Sequence, residues 1–319
     1  MEEEGFRRIA PDNATHVVLH VDYIPLGAFL EHPHIVEVIC RDRVKKIGAG
    51  AFADCPNLRR VIMPGVKIVE SAVFILCPSL EDVECGKLEI IKQKAFGSCI
   101  SLRSINLPSA RIIEEMAFSA TALTEVIFGS NLERIDRIAF SGCTVLERIT
   151  IPLKDGIITE DNIFAGCDNL NRAYLVEGEV HATIASFDSE EWRDDMKREI
   201  DSINQLLPNA SAGYYDAEEE EWIGVEKVRV IRTWIRSVID KMNHYKAEHQ
   251  RLLNETATMI ELAIWKANLD GNNGGRTMSV REGVRTTRGS VKRARRELCV
   301  TSGASIVIKN VLPFLELKS

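Results

Sequence analysis

Cysteine is the residue type whose spacing first suggests chemistry in this sequence. Five cysteines recur at a near-constant interval, at Cys55, Cys77, Cys99, Cys143 and Cys167, while His32 and Thr121 stand at the equivalent places elsewhere. Metal sites and disulfide frameworks need thiols in close groups such as Cys-x-x-Cys. One cysteine per interval is instead typical of small, buried, reduced thiols. The spacing therefore predicts a structural row and no metal site.

Other reactive patterns are sparse. The tightest histidine pair, His32-Pro33-His34, is interpreted as a solvent-exposed turn and not as a metal site. The sequence contains no phosphate-binding glycine loop, no His-Glu-x-x-His and no Gly-x-Ser-x-Gly, and its carboxylates form no distinct acid/base pair. The sequence thus predicts a protein that is not an enzyme, with no catalytic residue and no cofactor.

Phenylalanines recur at the same spacing as the cysteines, which indicates an internal repeat of about 22 residues. The repeated phenylalanines are Phe29, Phe52, Phe74, Phe96, Phe118, Phe140 and Phe164. A unit this small cannot bury its own apolar face, so stacked copies must share one continuous core. Each unit ends in a Val-x-Leu pattern, which predicts a short strand with alternate side chains inward. The expected fold class is an α/β repeat solenoid of about seven units.

Three stretches carry the repeat frame most clearly: Ile47 to Leu58, Ile91 to Leu102 and Ile135 to Leu146. This frame resembles the BspA-type, or Treponema-type, leucine-rich repeat over residues 17–178. Bacterial members of that family are mostly surface or secreted adhesion-type proteins, and protists carry large intracellular or uncharacterised sets. The resemblance implies binding rather than catalysis, and it supplies no catalytic residues.

The outward side chains of the predicted strands form two rows on one face. Charges of alternating sign in the first row fit a solvated face, because opposite charges on neighbouring strands support strand pairing. Exposed apolar residues in the second row favour a partner site. Both interpretations stay open. The candidate partner-binding residues are Ile39, Arg60, Ile62, Asn106, Ile127, Arg148, Arg172 and Tyr174.

The length, composition and charge of the chain exclude several classes of protein. The chain has 319 residues, 45% hydrophobic and 27% charged, with a net charge of −7. This composition excludes collagen-like and wholly disordered chains. No stretch has the length of a membrane-spanning helix, and the acidic N-terminus lacks the apolar core of a secretory signal. We expect an intracellular, cytoplasmic protein, with a nuclear location as the alternative.

A helical region is expected after the repeats, over residues 179–270. Ser189 is the predicted N-cap of a helix that ends at Pro208. An acidic run over 216–221 is expected to be a loop that leads into a long amphipathic helix over 225–270, with a break near Asn254 as one possibility. That helix either packs within the chain, which gives a monomer, or forms a coiled-coil dimer.

The end of the chain is basic. Eight basic residues and one acidic residue lie between positions 276 and 296. Lys292, Arg293, Arg295 and Arg296 have the form of a nuclear localisation signal or a phosphate-contacting tail, and a solvated linker is the plain alternative.

The predicted domains are an N-terminal extension (1–16), the solenoid with its capping strand (17–178), a helical capping region (179–270), a flexible basic segment (271–305) and an apolar C-terminal segment (306–319). The predicted function is a protein-protein interaction or scaffold module with a protein partner. The alternative is a nuclear or nucleic-acid-associated protein that uses residues 276–296.

Overall fold

The computed structural model describes residues 11–219 and 221–273. The chain divides into two compact units, Met1–Met242 and Asn243–Ser319. The repeats, two helices, a hairpin and the start of a third helix belong to the first unit. The predicted domain boundaries stay a prediction.

Each repeat contributes one longer strand to a parallel face, as the Val-x-Leu pattern predicts. These strands pair in two four-stranded sheets, β1-β3-β5-β7 and β9-β11-β13-β14. We call their outward surface the strand face. The strands are β1 (His16–Leu19), β3 (Glu37–Cys40), β5 (Arg60–Ile62), β7 (Asp82–Glu84), β9 (Ser104–Leu107), β11 (Glu125–Phe128), β13 (Arg148–Ile151) and β14 (Arg172–Leu175).

Six two-residue strands form a third parallel sheet, in the order β12-β10-β8-β6-β4-β2. They are β2 (Tyr23–Ile24), β4 (Lys46–Ile47), β6 (Ile68–Val69), β8 (Ile90–Ile91), β10 (Ile112–Ile113) and β12 (Arg134–Ile135). The seventh repeat has no strand here, but Ile158 forms a parallel bridge to Ile135. Its inward side chain therefore comes from Ile158, because Thr159 stands five residues before Phe164, where the other repeats have Ile or Val.

The core is a continuous stack of phenylalanine rings. All seven repeated phenylalanines are buried. Consecutive ring centroids lie 4.8–5.6 Å apart, with interplanar angles of at most 25°. Aromatic rings at these distances contribute packing energy beyond the area that they bury. The solenoid of about seven turns with its spacing near 22 residues is confirmed.

The cysteine row lies beside this stack and is buried, as predicted. The Cys77 thiol donates to the Phe52 carbonyl oxygen at 3.1 Å, and the Cys99 thiol donates to that of Phe74 at 3.1 Å. Burial raises the pKa of Cys99 to about 12, because a thiolate is poorly solvated there. The Cys99 thiol thus stays protonated, and the Cys77 and Cys99 thiols serve as hydrogen-bond donors between repeats.

The prediction that His32 lies in a solvent-exposed turn is wrong. His32 is fully buried, whereas His34 is exposed. Its Nε2 lies 3.1 Å from the Pro11 carbonyl oxygen, and its Nδ1 accepts from the backbone N–H of His34 at 3.4 Å. The hydrogen-bond pattern assigns the neutral form with the proton on Nε2. His32 is buried because it occupies the inward cysteine position of the first repeat.

Helices follow the last repeat. Helix α1 spans Glu179–Ala185 and helix α2 spans Glu190–Leu206. Ser189 is the N-cap of α2, since its side chain accepts from the backbone N–H of Trp192, as predicted. A 3-10 turn, Leu207–Asn209, ends this region. Helix α1 has no counterpart in the sequence-based assignment.

The acidic run is the turn of a hairpin rather than a plain loop. Strands β15 (Tyr214–Asp216) and β16 (Glu221–Ile223) pair antiparallel. Helix α3 then spans Glu226–Asn273 and is continuous through Asn254, so the helix has no break there. Neither Pro nor Gly interrupts 226–270.

Contacts within the first unit cover the end of the solenoid. The Lys227 amine donates to the carbonyl oxygens of Asp168 and Leu170, at 2.8 and 2.5 Å. The Asn204 side-chain oxygen accepts from the Ala173 N–H on the outer edge of β14, at 3.2 Å. An uncovered strand edge invites pairing with other chains, so these contacts close the stack.

The second unit is described only along its helix. Ala257 and Ala263 are buried there, whereas Leu262 and Trp265 are about half exposed. The choice between monomer and coiled-coil dimer stays a prediction. Nearly all of the basic segment, with Lys292, Arg293, Arg295 and Arg296, and the apolar segment 306–319 lie outside the described residues.

Backbone strain at Ile138 leads to a stability prediction. In the first six repeats, from Gly27 to Ile138, the residue two positions before the repeated phenylalanine has a left-handed backbone conformation. Its φ angle is 61° at Gly50 and 48° at Ile138. A β-branched side chain is strongly disfavoured in this region. We expect Ile138→Gly to raise the free energy of unfolding by about 1 kcal/mol. Urea unfolding measures the change in the free energy of unfolding. Gly50→Ile imposes the same backbone strain on another repeat and should lower stability. A lower stability for Ile138→Gly would contradict the role of backbone strain at Ile138.

Acid should weaken the contact between α2 and the start of α3. Hydrogen bonds from Lys241 and Ser237 hold the pKa of Glu199 below its ordinary value of 4.5. The unfolded chain therefore binds the proton more readily, so this stabilisation is present above pH 4.5 and is lost as the pH falls through the lowered pKa. We expect Glu199→Gln to cost about 0.5 kcal/mol at pH 7, since such partly exposed pairs are weak.

The measurement is the difference in melting temperature between the original chain and the Glu199→Gln variant across the acidic range. This difference should shrink as the pH falls. Glu81→Gln removes an exposed carboxylate from a repeat and is the control. A difference that stays constant with pH, or that the control reproduces, contradicts the role of Glu199.

Candidate functional site

The strand face carries the predicted binding residues, and neighbouring strands align them in rows. Glu37 pairs with Arg60 and Arg60 with Asp82, while Ile39 pairs with Ile62. On the second sheet, Ile127 pairs with Thr150. Thr150 in turn pairs with Tyr174. The alternation of inward and outward residues is thus as expected.

Charges in the first half of the face are largely satisfied by one another. The Arg60 guanidinium contacts the Asp82 carboxylate at 3.0 Å and also bonds to Glu84. Its hydrogen bond to Glu84 raises the pKa of Arg60. Ile39 and Ile62 are only partly exposed. Arg60 therefore offers a partner little free charge, whereas Val18, which is 45% exposed, forms an apolar row with Ile39 and Ile62.

The second half of the face differs in its charge. Arg148 reaches Glu125 at 3.5 Å, but its Nε is buried and has no hydrogen-bond partner. Arg172 lies beside Arg148 in the register. In the part of the chain that the structure describes, Arg172 forms no ion pair. Asn106 is exposed on β9. Positive charge is therefore concentrated on β13 and β14.

A groove of about 530 Å³ lies where the strand face meets α1 and α2. Ile127 and Tyr174, 41% and 39% exposed, line it. The groove joins these two predicted residues, while Ile39, Arg60, Ile62, Asn106, Arg148 and Arg172 do not line it. The other lining residues are Phe128, Thr150, Ala173, Leu175, Val176, Glu177, His181, Ile200, Asp201 and Asn204.

Sequence reasoning missed the helical wall of this groove. His181 comes from α1, and Asp201 and Asn204 come from α2. The repeat frame ends at β14, so no periodic signal reaches these residues. Ile200 lies on an apolar stripe of the α2 sequence with Trp192, Met196 and Ile203. This stripe is the one sequence signal that could have indicated a wall residue.

The described residues contain neither a metal-binding cluster nor a membrane-spanning helix. Within 11–219 and 221–273, no group of three or more His, Cys, Asp or Glu side chains is arranged to hold a metal ion. No helix of that part is long and apolar enough to cross a bilayer. The nuclear and nucleic-acid alternative depends on residues 276–296, which lie outside the described part, and stays a prediction.

Three solved structures with similar repeats come from bacterial proteins. A leucine-rich repeat protein of Treponema pallidum shares 24% identity over 51% of this chain and 70% of that one, with a TM-score of 0.38. The pneumococcal vaccine antigen PcpA shares 16% over half of each chain, with a TM-score of 0.37. A Bacteroides ovatus leucine-rich repeat protein shares 20% over 51% of this chain and 61% of that one, with a TM-score of 0.32.

No curated protein matches the sequence. The family described as BspA type leucine-rich repeat region matches six copies, over residues 13–112 and 89–189. These two ranges together span more than half of the chain. The chain therefore belongs to the BspA-type leucine-rich repeat family.

Proposed function

We propose that this protein is a non-enzymatic interaction module that binds a protein partner on the strand face, centred on the groove beside α1 and α2. Leucine-rich repeat proteins generally bind other proteins and are generally not enzymes. The observation that carries the proposal for this chain is the exposure of Ile127 and Tyr174 within one groove.

The chemistry of the groove supports a protein partner over a small polar ligand. Its floor is mostly apolar and aromatic, and tyrosine is enriched where proteins meet. Glu177 and Asp201 supply a polar rim. A partner side chain that fills the groove would bury the exposed parts of Ile127 and Tyr174, which is favourable by about 25 cal/mol per Å² of apolar surface.

The positive charge on β13 and β14 suggests how the partner is oriented. Arg148 and Arg172 lie side by side, next to the groove residues on the same strands. Acidic residues on the partner would neutralise both guanidinium groups. Such pairs mainly set specificity and association rate, and an apolar anchor provides affinity.

The test compares partners captured by the full chain and by a variant with Ile127→Asp and Tyr174→Asp. We expect the variant to lose specific partners, because a carboxylate in the groove must be desolvated on binding. Quantitative mass spectrometry after affinity purification measures the loss, which we expect to be about tenfold or more.

Ile100→Asp is the matched control, since Ile100 is 61% exposed and lies on a repeat turn away from the strand face. Both variants should melt within a few degrees of the original chain. Equal capture by all three chains would refute the proposal, and equal loss in the Ile100→Asp control would do the same.

A further inference from the structure

The β15–β16 hairpin, after the last repeat, exposes aromatic side chains on both of its faces. Tyr215 lies opposite Trp222 in the register, with ring centroids 5.4 Å apart and an interplanar angle of 58°. Tyr214 lies opposite Ile223 on the other face. Tyr214 is 60% exposed and Tyr215 is 50% exposed. The hairpin thus presents ring surface that the described fold leaves open.

The base of the hairpin is held firmly. The Gly166 N–H, in the turn after Phe164, donates to the Gly213 carbonyl oxygen at 2.9 Å. The Lys227 N–H donates to the Ser211 carbonyl oxygen at 2.9 Å. Gly213 has φ +78°, and a Cβ there would lie 2.6 Å from the Ile223 carbonyl oxygen. These constraints fix the direction in which the aromatic residues project.

The hairpin places like charges opposite each other on its two strands, whereas paired strands usually place opposite charges there. Asp216 lies directly opposite Glu221, and like charges in this position destabilise a pair. Glu218 and Glu219 in the turn are also exposed and acidic. None of these four carboxylates forms an ion pair with a residue in the described ranges, whereas carboxylates along the repeats often do, as Glu133 does with Arg111.

Solubility alone does not explain this composition. Charges near strand edges do discourage pairing between chains. Exposed tyrosine rings on the same ribbon work against that effect, because they add the apolar surface that promotes association. Aromatic faces and carboxylates have one ligand in common, which is a cation: rings attract it through their quadrupole and carboxylates through their charge.

We propose that the hairpin binds an extended, arginine-rich segment of a partner protein. Arginine fits better than lysine because its planar guanidinium stacks on aromatic rings and bonds to carboxylates in a fork. One guanidinium near Asp216 and Glu221 relieves their repulsion, and Tyr214 on the same face provides a ring for stacking. This surface is separate from the groove on the strand face, so the inference does not depend on the proposed function.

The experiment titrates the full chain into a fluorescein-labelled Gly-Arg repeat peptide and follows fluorescence anisotropy. We expect Glu218→Gln, Glu219→Gln and Glu221→Gln together to weaken binding about tenfold. Tyr214→Ala should weaken it about threefold, and Tyr214→Phe, which keeps the ring, should bind like the original chain. A Gly-Glu repeat peptide should not bind.

The matched control removes three exposed glutamates from the repeats, with Glu81→Gln, Glu147→Gln and Glu160→Gln. It has the same net charge as the hairpin variant and should retain the original affinity. Equal weakening in the control, or no effect of Tyr214→Ala, overturns the proposal. A chain with Lys292, Arg293, Arg295 and Arg296 all changed to Gln should bind the peptide with unchanged affinity; tighter binding would identify the chain's own basic residues as the occupant and overturn the assignment to a partner.

Discussion

The hydrogen bonding of the repeated phenylalanine carbonyls links most repeats to the next. The Phe140 carbonyl oxygen accepts from the N–H of Cys143 in its own turn, at 3.2 Å, and from the thiol of Cys167 in the next repeat, at 3.1 Å. A carbonyl oxygen can accept two hydrogen bonds, and the thiol of the following repeat supplies the second one to Phe29, Phe52, Phe74, Phe118 and Phe140. After Phe96 the next repeat has Thr121, whose hydroxyl donates to Phe118 of its own repeat instead. The ring stack also links the repeats, through packing. Cysteine suits this position because it is small, apolar and still a donor.

Such an arrangement has no natural end, so both termini of the stack need special residues. At the first repeat, His32 replaces cysteine and bonds to the Pro11 carbonyl oxygen, which belongs to the segment before β1. At the last repeat, Lys227 and Asn204 bond to backbone groups that another repeat would otherwise have met. Burial lowers the pKa of Lys227, so its position has an electrostatic cost that its two carbonyl contacts offset. The departures from the repeat pattern are therefore functional parts of the fold.

The periodic part of the structure could be predicted from the sequence because the same residue pattern recurs in seven repeats. Phe, Cys and the strand residues appear at matching positions, so one atypical repeat does not obscure the frame. The N-cap at Ser189 was also predictable, since capping is a local interaction. The groove wall was not, because His181 and Asn204 reach it only through the packing of α1 and α2 on β14. His32 shows the converse error: its place in the frame indicated burial, but the residue type suggested a solvated turn.

Where the repeat is regular, neighbouring side chains pair with the surface charges, and where it is irregular some charges stay without an opposite partner. On β5 and β7, Arg60 is flanked by two carboxylates at neighbouring positions, so the repeat neutralises its own charges. On β13 and β14, where the sequence period lengthens, Arg148 and Arg172 become neighbours and a groove opens beside them. On the hairpin, Asp216 and Glu221 face each other. A protein that is locally consistent elsewhere tends to break such rules at functional sites. We therefore propose that a partner binds at the end of the solenoid, where the repeat stops determining its own neighbours.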